Sequence, residues 1–380
     1  MTIEIVSTLD GIDPAQWNRL TGGHPFLRHE FLHALHESGC ASDRTGWSPR
    51  YLAAFEGKNH TKRLTGAMPL YVKSHSRGEY VFDWAWADAY QRHGLEYYPK
   101  LLSAIPFTPV AGPRILAESD SVLEALASHV LDVARESNAS SLHCLFPTPE
   151  QTERFAAKGM MVRHGVQFHW VNEGDTDFEQ YLSRMNHTKR KKIKQERRRV
   201  RDAGITFRWL EGAAITDDDW RFFARCYTHT YREHHNTPYL NLDFFQRIGH
   251  SMPENLLLIV AERDGRPIGA SFNMRGNDCL YGRYWGALEH HPMLHFEACY
   301  YQTIEYCLAR GIKVFEGGAQ GEHKMARGLM PVQTASVHWL AHPQFAQAVE
   351  AFLARETKGV TQYIDELHEH SPFVAAAPSA

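Results

Sequence analysis

Two stretches of the chain, roughly 200 residues apart, follow the same pattern. Residues 63–67 (RLTGA) lead through a predicted strand and turn to the aromatic run 81–87, and residues 266–270 (RPIGA) lead in the same way to the aromatic run 281–287. In each half, a predicted antiparallel hairpin is followed by an aromatic strand, a proline-containing loop, a helix and a further strand. This order predicts one fold that is used twice along the chain.

The length and composition fit such a duplication. The chain has 380 residues, of which 43% are hydrophobic, so it can bury the cores of about two domains and is neither a disordered nor a fibrous protein. Helical and strand patterns alternate throughout, which predicts an α/β (α+β) fold. Turn residues near 172–178 mark the boundary. We therefore expect a first domain over 1–174, a second over 175–371 and a frayed tail over 372–380.

Several classes of protein are disfavoured by what the chain lacks. No apolar run approaches the roughly 18 to 20 residues of a membrane span, and the first ten residues do not have the pattern of a signal peptide. We therefore expect a cytoplasmic protein. The six cysteines show no C-x-x-C spacing and the histidines form no H-E-x-x-H motif, so we predict reduced thiols and no metal site.

One segment is strongly basic although the net charge of the whole chain is −3. Residues 184–201 carry ten Lys or Arg against one Glu. The capping-box spacing of Thr176 and Glu179, with Gly204 as a stop, predicts a single helix over 177–203. Like charges four residues apart repel each other, and an anionic partner would relieve that repulsion. The predicted phosphate- or RNA-binding residues are Lys189, Arg190, Lys192, Lys194, Arg197 and Arg198. The alternative is a solvated helix held by its thin apolar stripe.

A glycine-rich segment follows the predicted strand 312–316. Three glycines within five positions, at 317, 318 and 321, let the backbone approach a ligand closely. Ligands commonly bind after the carboxyl end of a strand in α/β sheets. Glu316, Glu322 and His323 could accept a proton from an amine, while Lys324 and Arg327 could hold an anion. The alternative is a glycine-rich turn with incidental charges.

Two further clusters combine aromatic and charged residues. The first follows residue 73 and includes a predicted strand over 79–85; the alternative is an aromatic core hairpin. The second pairs the strand 279–286 with a predicted helix over 295–310, on which residues 297 and 301 would share one face. The candidate binding residues of the two clusters are Lys73, His75, Arg77, Glu79, Asp83, Trp84, Trp86, Arg283, Trp285, Glu297 and Tyr301.

Several strings of the sequence resemble a known family. They are PFLRHEFL at 25–32, the run 69–90 from PLYVKSHS to WADAY, YYPKLL at 97–102, PFTPVAGPR at 106–114 and GGAQGEHK at 317–324. These strings resemble the FemAB-like predicted N-acyltransferases, a branch of the GNAT superfamily, over nearly the whole chain. The resemblance adds Lys100 and Gln320 to the binding residues. In Fem-type enzymes a basic segment opens the second domain, and residues 189–204 are similar to it.

The resemblance implies a fold and a reaction class. It implies tandem GNAT-like acyltransferase domains with mixed, mostly antiparallel sheets flanked by helices. Fem-type enzymes transfer an amino acid from aminoacyl-tRNA to an amine of a peptidoglycan precursor. For this chain we expect transfer of an acyl or aminoacyl group from a thioester or ester donor to an amine, with Glu316, Glu322 and His323 as catalytic bases. The donor's carbonyl would lie between splayed strands at 281–286 and 312–315, beside the glycine-rich loop.

The donor is left open by the sequence. Either acyl-CoA or aminoacyl-tRNA would serve as co-substrate, with no tightly bound cofactor. The [QR]-x-x-G-x-[GA] loop typical of acetyl-CoA-dependent GNAT enzymes is absent after residue 286, and the basic segment favours tRNA or another polyanion. A different class also fits: a non-catalytic module that binds RNA or a cell-wall precursor and retains the acyltransferase fold.

Overall fold

The computed structural model describes residues 1–57, 62–318 and 321–374. Its contacts divide the chain into two compact units. Unit 1 consists of Met1–Gly165 together with Gln333–Gln362. Unit 2 consists of Val166–Val332 together with the residues from Tyr363 onward.

Unit 1 contains two groups of paired strands. Its elements from the first part of the chain are β1 (Thr2–Val6), α1 (Pro14–Arg19), α2 (His29–Glu37), β2 (Trp47–Pro49), β3 (Tyr51–Glu56), β4 (Arg63–Met68), β5 (Tyr71–Lys73), α3 (Trp84–Arg92), β6 (Lys100–Ser103), β7 (Leu116–Ala117), α4 (Asp120–Glu136), β8 (Ser141–Leu145) and α5 (Pro149–Ala157). Residues 333–362 add most of β15 (Met330–Leu340) and α12 (Pro343–Glu369). One group has the order β1-β3-β4-β7, and the other has β2-β5-β6-β8-β15. Every pair is antiparallel except β6 with β8.

Unit 2 is built on one run of six strands. Its elements are the end of β9 (Met161–Val171), α6 (Phe178–Ser183), α7 (His187–Asp202), β10 (Ile205–Glu211), α8 (Asp217–Glu233), α9 (Leu242–Ser251), β11 (Leu256–Arg263), β12 (Arg266–Arg275), β13 (Cys279–Ala287), α10 (Leu294–Phe296), a π-helical turn (Glu297–Tyr301), α11 (Gln302–Arg310) and β14 (Val314–Glu316). The strand order is β10-β11-β12-β13-β14-β9. Only the β13–β14 pair is parallel.

The two units repeat one topology. In unit 1 an antiparallel pair (β5–β6) continues into a parallel pair (β6–β8) and then an antiparallel neighbour, β15. In unit 2 the same sequence of pairings runs through β12–β13, β13–β14 and β9. The predicted fold class is confirmed: this is a mixed α/β fold whose sheets are mostly antiparallel and are flanked by helices. No helix in the described ranges is long and apolar enough to cross a membrane.

The division between the units differs from the predicted boundary after residue 174. The strand β9 already leaves unit 1 at Gly165, and residues 333–362 return to unit 1, where β15 pairs with β8. The unit to which a strand belongs is set by the strands it pairs with, and turn residues in the sequence do not show which strands those are. Within the predicted tail, Phe373 bridges to Met185 and the Val374 amide donates to the Arg184 carbonyl at 2.9 Å, so residues 372–374 are packed. Residues 375–380 lie outside the described ranges.

Two predicted elements were wrong. The single basic helix over 177–203 is two helices, α6 and α7, because the Asn186 side chain accepts a hydrogen bond from the Lys189 amide at 3.0 Å and starts a new helix. The predicted strand over 79–85 is an irregular segment that runs into α3 at Trp84. Its acidic side chains turn inward to Lys100, which is incompatible with a flat strand. The strand of unit 1 that corresponds to β13 is therefore β6.

Candidate functional site

The strands β13 and β14 of unit 2 part shortly after they meet. Their parallel pairing joins Cys279 to Val314 and ends, within the described residues, at Tyr281 and Glu316. β13 continues to Ala287, paired with β12 on its other edge. Beyond Tyr281, the edge of β13 that faces β14 therefore has no ladder partner in the described structure. A parting of this kind leaves backbone groups available to a ligand's carbonyl; we call it the β13/β14 split.

Lys324 lies buried beside the β13/β14 split. Its ammonium donates to the Gly318 carbonyl at 2.8 Å, and a Cβ on Gly318 would lie 3.4 Å from the carbonyl oxygen of Gly282 on β13. Gly317 allows this approach, because a Cβ there would come within 3.5 Å of the Lys324 side chain and within 2.6 Å of Leu329. Burial, followed by the charge of Arg283, lowers the pKa of Lys324 to about 8. The glycine-rich segment thus brings a weakened but cationic amine to the split.

The three predicted bases differ in their surroundings. His323 is exposed and its Nε2 lies 3.2 Å from the Tyr300 hydroxyl; partial burial and the charges of Arg327 and Lys324 lower its pKa, so the ring is neutral and able to accept a proton. Glu316 is buried on β14 at the register of His169 in the neighbouring strand. Glu322 is exposed and accepts a hydrogen bond from the Tyr363 hydroxyl at 2.5 Å. Gln320 lies outside the described residues.

The second predicted cluster is only partly assembled. Arg283 lies over the ring of Tyr284, with 5.3 Å between the guanidinium carbon and the ring centre, and Trp285 packs against His295. The other two members, Glu297 and Tyr301, turn to α7. Glu297 binds Arg197, and the Tyr301 hydroxyl donates to Glu196. They support the helix rather than flank Trp285.

The predicted phosphate-binding residues of α7 fall into two groups. Arg197 is engaged internally by Glu297 and Glu305 at 2.9 and 2.8 Å, and Lys194 pairs with Glu179 at 2.6 Å. The Arg190 guanidinium donates to the Ser183 carbonyl at 3.4 Å. Among the described residues the other three have no carboxylate partner; they are Lys189, Lys192 and Arg198. Beside α7 lies a cavity of about 640 Å³, which Lys194, Arg197, Arg198 and Arg201 help to line.

Unit 1 holds a row of polar side chains on one face of its sheet. Lys73 and Lys100 are direct neighbours across β5 and β6, and His143 and His338 are direct neighbours across β8 and β15. All four are buried. Lysines are almost never fully buried without partners, and buried histidines also need hydrogen bonds, so this row must be satisfied from within.

Lys100 organises the acidic half of that row. Its ammonium donates to Ser76 at 2.7 Å, to Glu79 at 2.9 Å and to Asp83. Burial alone would lower the pKa of Lys100, but Glu79 and Asp83 outweigh it and raise the pKa, so the amine stays charged. Glu79 also lies 3.9 Å from the Lys73 ammonium; burial raises the pKa of Glu79 to about 7 and lowers that of Lys73 to about 7. These five residues are called the Lys100 cluster.

A hydrogen-bonded chain continues from the cluster to the histidines. The Tyr97 hydroxyl donates to Asp83 at 2.7 Å and lies 3.1 Å from His143 Nε2, and the Nδ1 atoms of His143 and His338 are 2.7 Å apart. Trp86 covers the chain, with its ring 5.0 Å from that of His338. The sequence did not single out Tyr97, His143 or His338. The available signal was a histidine in the middle of two apolar strands.

The rest of the first predicted cluster lies away from this row. Trp84 is 48% exposed and Arg77 is exposed. His75 accepts a hydrogen bond from the Arg77 amide at 3.1 Å, while the Arg77 carbonyl receives one from Lys73 at 3.3 Å. The structure therefore brings together Lys73, Glu79, Asp83, Lys100 and Trp86 from the predicted set.

The family model called FemAB-like, which is described by peptidoglycan biosynthesis and recognition, matches residues 8–375. The chain belongs to the FemAB-like family. No curated protein matches it. Membership in the FemAB-like family, together with the fold, supports a function of the aminoacyl-transferase type.

Solved structures share the fold at low sequence identity. The crystal structure of FemX is 11% identical, with 92% of this chain and 100% of FemX covered and a TM-score of 0.54. The C-terminal domain of a putative lysylphosphatidylglycerol synthetase from Agrobacterium fabrum is 10% identical, with coverage of 88% and 94% and a TM-score of 0.51. L-PGS from Bacillus licheniformis is 11% identical, with coverage of 90% and 97% and a TM-score of 0.50. At these identities the likeness establishes the fold of this FemAB-like protein.

Proposed function

We propose that this protein is an N-acyltransferase that moves an acyl or aminoacyl group from a thioester or ester donor to an amine, and that the reaction takes place at the β13/β14 split of unit 2. The observation that carries the proposal is the buried ammonium of Lys324 beside strand edges that part after Tyr281. The attack of an amine on a carbonyl places negative charge on the carbonyl oxygen. A cation and backbone N–H groups fixed in advance at that point stabilise this charge.

The acceptor amine must lose a proton as its nitrogen bonds to the carbonyl carbon. The bond from that carbon to the donor's sulfur or oxygen then breaks, and the donor leaves as a thiol or hydroxyl after taking up a proton. We assign the removal of the amine's proton to His323, because its lowered pKa keeps the imidazole neutral and its position next to Lys324 places it near the split. Glu316 is the second candidate base, being buried on β14 at the end of the paired region. Glu322 is the least suitable base of the three, because its carboxylate already accepts a hydrogen bond from the Tyr363 hydroxyl.

The donor in this proposal carries phosphate. Lys189, Lys192 and Arg198 lie on α7 of the same unit without a carboxylate partner in the described structure, and an aminoacyl-tRNA would supply the phosphates that they can bind. An acyl-CoA is the other donor class. The family description names peptidoglycan biosynthesis and recognition, and in this proposal the acceptor is an amine of a cell-wall precursor. A tRNA donor would place the reaction in the cytoplasm.

The proposal is tested by offering both donor classes to the purified protein. We expect transfer of a labelled amino acid from aminoacyl-tRNA to a precursor peptide with a free amine, and no transfer from acyl-CoA. His323→Gln should slow the transfer by about 10²-fold or more, as expected for loss of a general base. His250→Gln, at an exposed position on α9, is the matched control and should leave the rate unchanged.

Ligands retained on the purified protein give an independent measurement. Co-purifying CoA or acyl-CoA, detected by mass spectrometry, would overturn the tRNA donor. RNA that co-purifies while neither donor supports transfer would favour the second candidate, a binding module that retains the acyltransferase fold. The cations of α7 are the observation that favours this candidate.

A further inference from the structure

Glu196 is the buried carboxylate in the middle of the basic helix α7. It is 6% exposed, and both of its oxygens bind the Arg327 guanidinium, at 3.1 and 3.0 Å. The Tyr301 hydroxyl donates a further hydrogen bond to Glu196. Glu196 thus faces inward although cations cover most of the surface of α7. Its partner, Arg327, lies at the end of the glycine-rich region.

Arg327 ends the short 3₁₀ segment Glu322–Arg327 that carries His323 and Lys324. The Arg327 guanidinium donates to the His323 carbonyl at 2.7 Å. The backbone carbonyl of Arg327 accepts a hydrogen bond from the Tyr181 hydroxyl at 2.5 Å. The guanidinium carbon also lies 3.5 Å from the centre of the Phe296 ring. Arg327 therefore ties both ends of this segment together on one side and binds Glu196 on the other.

The charge balance makes this arrangement depend on Glu196. Arg327 is buried, so its guanidinium needs a carboxylate nearby. In the described residues, the salt bridge from Arg327 goes to Glu196. Without that carboxylate, a buried cation would remain beside His323 and Lys324, and the segment would have to move to solvate it.

We infer that Glu196 is a positioning residue for acyl transfer, which acts through Arg327 to hold His323 and Lys324 at the β13/β14 split. The inference rests on the proposed function for its catalytic meaning. Within the described structure, the hydrogen bonds and the salt bridge of Glu196 go to Arg327 and Tyr301 rather than to the split or the predicted bases. It also joins α7, the helix expected to bind the donor, to the segment expected to carry out the reaction.

The test compares Glu196→Gln with Glu305→Gln. Glu305 is a matched control because it also binds α7, through Arg197, and Arg197 retains Glu297 when Glu305 is replaced. We expect amide hydrogen exchange at Lys324, Gly328 and Leu329, which close the segment's hydrogen bonds, to rise at least tenfold in Glu196→Gln and to stay unchanged in Glu305→Gln. We also expect kcat for transfer to fall at least tenfold with KM unchanged. Glu196→Asp, which keeps the charge, should recover part of both effects.

The outcomes separate this inference from the proposed function. Unchanged exchange in Glu196→Gln would overturn the inference whatever the activity. Faster exchange with an unchanged kcat would overturn it as well, since the segment would then be held for stability alone. If Glu196→Gln does not fold, the same comparison is made with Glu196→Asp, for which wild-type exchange and kcat would contradict the inference. Absence of transfer by the wild-type protein would overturn the proposed function, and the exchange measurement would still decide whether Glu196 holds the segment.

Discussion

The ammonium of Lys100 shows how much of unit 1 depends on one residue. Ser76, Glu79 and Asp83 precede α3 in an irregular segment, and all three side chains converge on this group. Lys100→Met would remove the buried cation that binds both Glu79 and Asp83, leaving Glu79 with only the Lys73 amine at 3.9 Å. We expect the free energy of unfolding to fall by about 3 to 5 kcal/mol, measured by urea denaturation. Lys313→Met removes an exposed ion pair with Asp278 and should cost less than about 1 kcal/mol. Equal losses in the two variants would contradict this account of the Lys100 cluster.

Two of the buried histidines of unit 1, His143 and His338, predict how stability depends on pH. Burial lowers the pKa of His143 to about 3 and that of His338 well below its usual range. Between pH 6.5 and 3 the unfolded chain therefore binds protons that the folded chain does not, so stability falls as the pH falls through this range. The pKa of Glu79 is raised to about 7, so below that pH the folded chain holds one proton that the unfolded chain has not yet bound. Glu79 therefore opposes part of this loss of stability.

Replacing one of these histidines should flatten that dependence. In His143→Gln, the slope of unfolding free energy against pH between 6 and 4 should decrease by up to about 1.4 kcal/mol per pH unit, whatever the change in absolute stability. Urea denaturation at a series of pH values measures it. His187→Gln, at an exposed site, should keep the wild-type slope. A wild-type slope in His143→Gln would show that this histidine is not held neutral.

At the residue scale, the sequence could suggest chemistry but not partnership. Lys73, Glu79 and Asp83 lie within eleven residues of one another, and the family strings added Lys100. His143 and His338 were missed because they are 195 residues apart and meet only when β15 pairs with β8. Glu196 is the one Glu of the basic run 184–201, and nothing in the sequence shows that it faces Arg327.

At the scale of single elements, α7 combines a buried face with a cationic surface. Lys192 and Arg198 are exposed on it. Reversing both charges should weaken binding of a short single-stranded RNA and reduce the slope of log K against log salt by about 1.4, the value for two phosphate contacts. Fluorescence anisotropy over a salt series measures both quantities. The control reverses Arg221 and Arg225, which are exposed on α8 of the same unit.

The comparison between these two double variants decides the role of the helix. An equal loss of binding in both would mean that only net charge matters. No loss in either would leave α7 as a solvated helix held by its buried face. The sequence predicted the charge of this element correctly but not its start. The capping-box spacing of Thr176 and Glu179 predicted one helix, whereas Asp177 caps α6 and Asn186 caps α7.

At the scale of the whole molecule, the repeated topology was predictable and the division of the chain was not. The repeated motif at 63 and 266 opens the second strand of each hairpin, β4 beside β3 and β12 beside β11. The strands beside the parallel pairs, β9 and β15, each come from the other half of the chain. A pattern of turns cannot show such an exchange, since both strands have ordinary local sequences.

Because each unit takes a strand from the other half of the chain, we predict that the first half of the sequence does not fold alone. A fragment of residues 1–174 lacks β15, so β8 loses a strand partner and His143 loses His338. We expect the fragment to show poorly dispersed NMR spectra and rapid amide exchange throughout β6 and β8, whereas the full chain protects both strands. A well-dispersed spectrum with protected β8 amides would show that unit 1 does not need β15.

The role of Lys324 is the centre of the account and is tested most directly by single-turnover transfer. A labelled amino acid on tRNA is mixed with excess protein and an amine-bearing precursor peptide, and the rate of peptide labelling is measured for the wild type, Lys324→Met and the surface control Lys313→Met. Loss of the cation at the β13/β14 split should slow labelling by about 10² to 10³ in Lys324→Met and leave Lys313→Met at the wild-type rate. Labelling by Lys324→Met at the wild-type rate would contradict the placement of acyl transfer at this split.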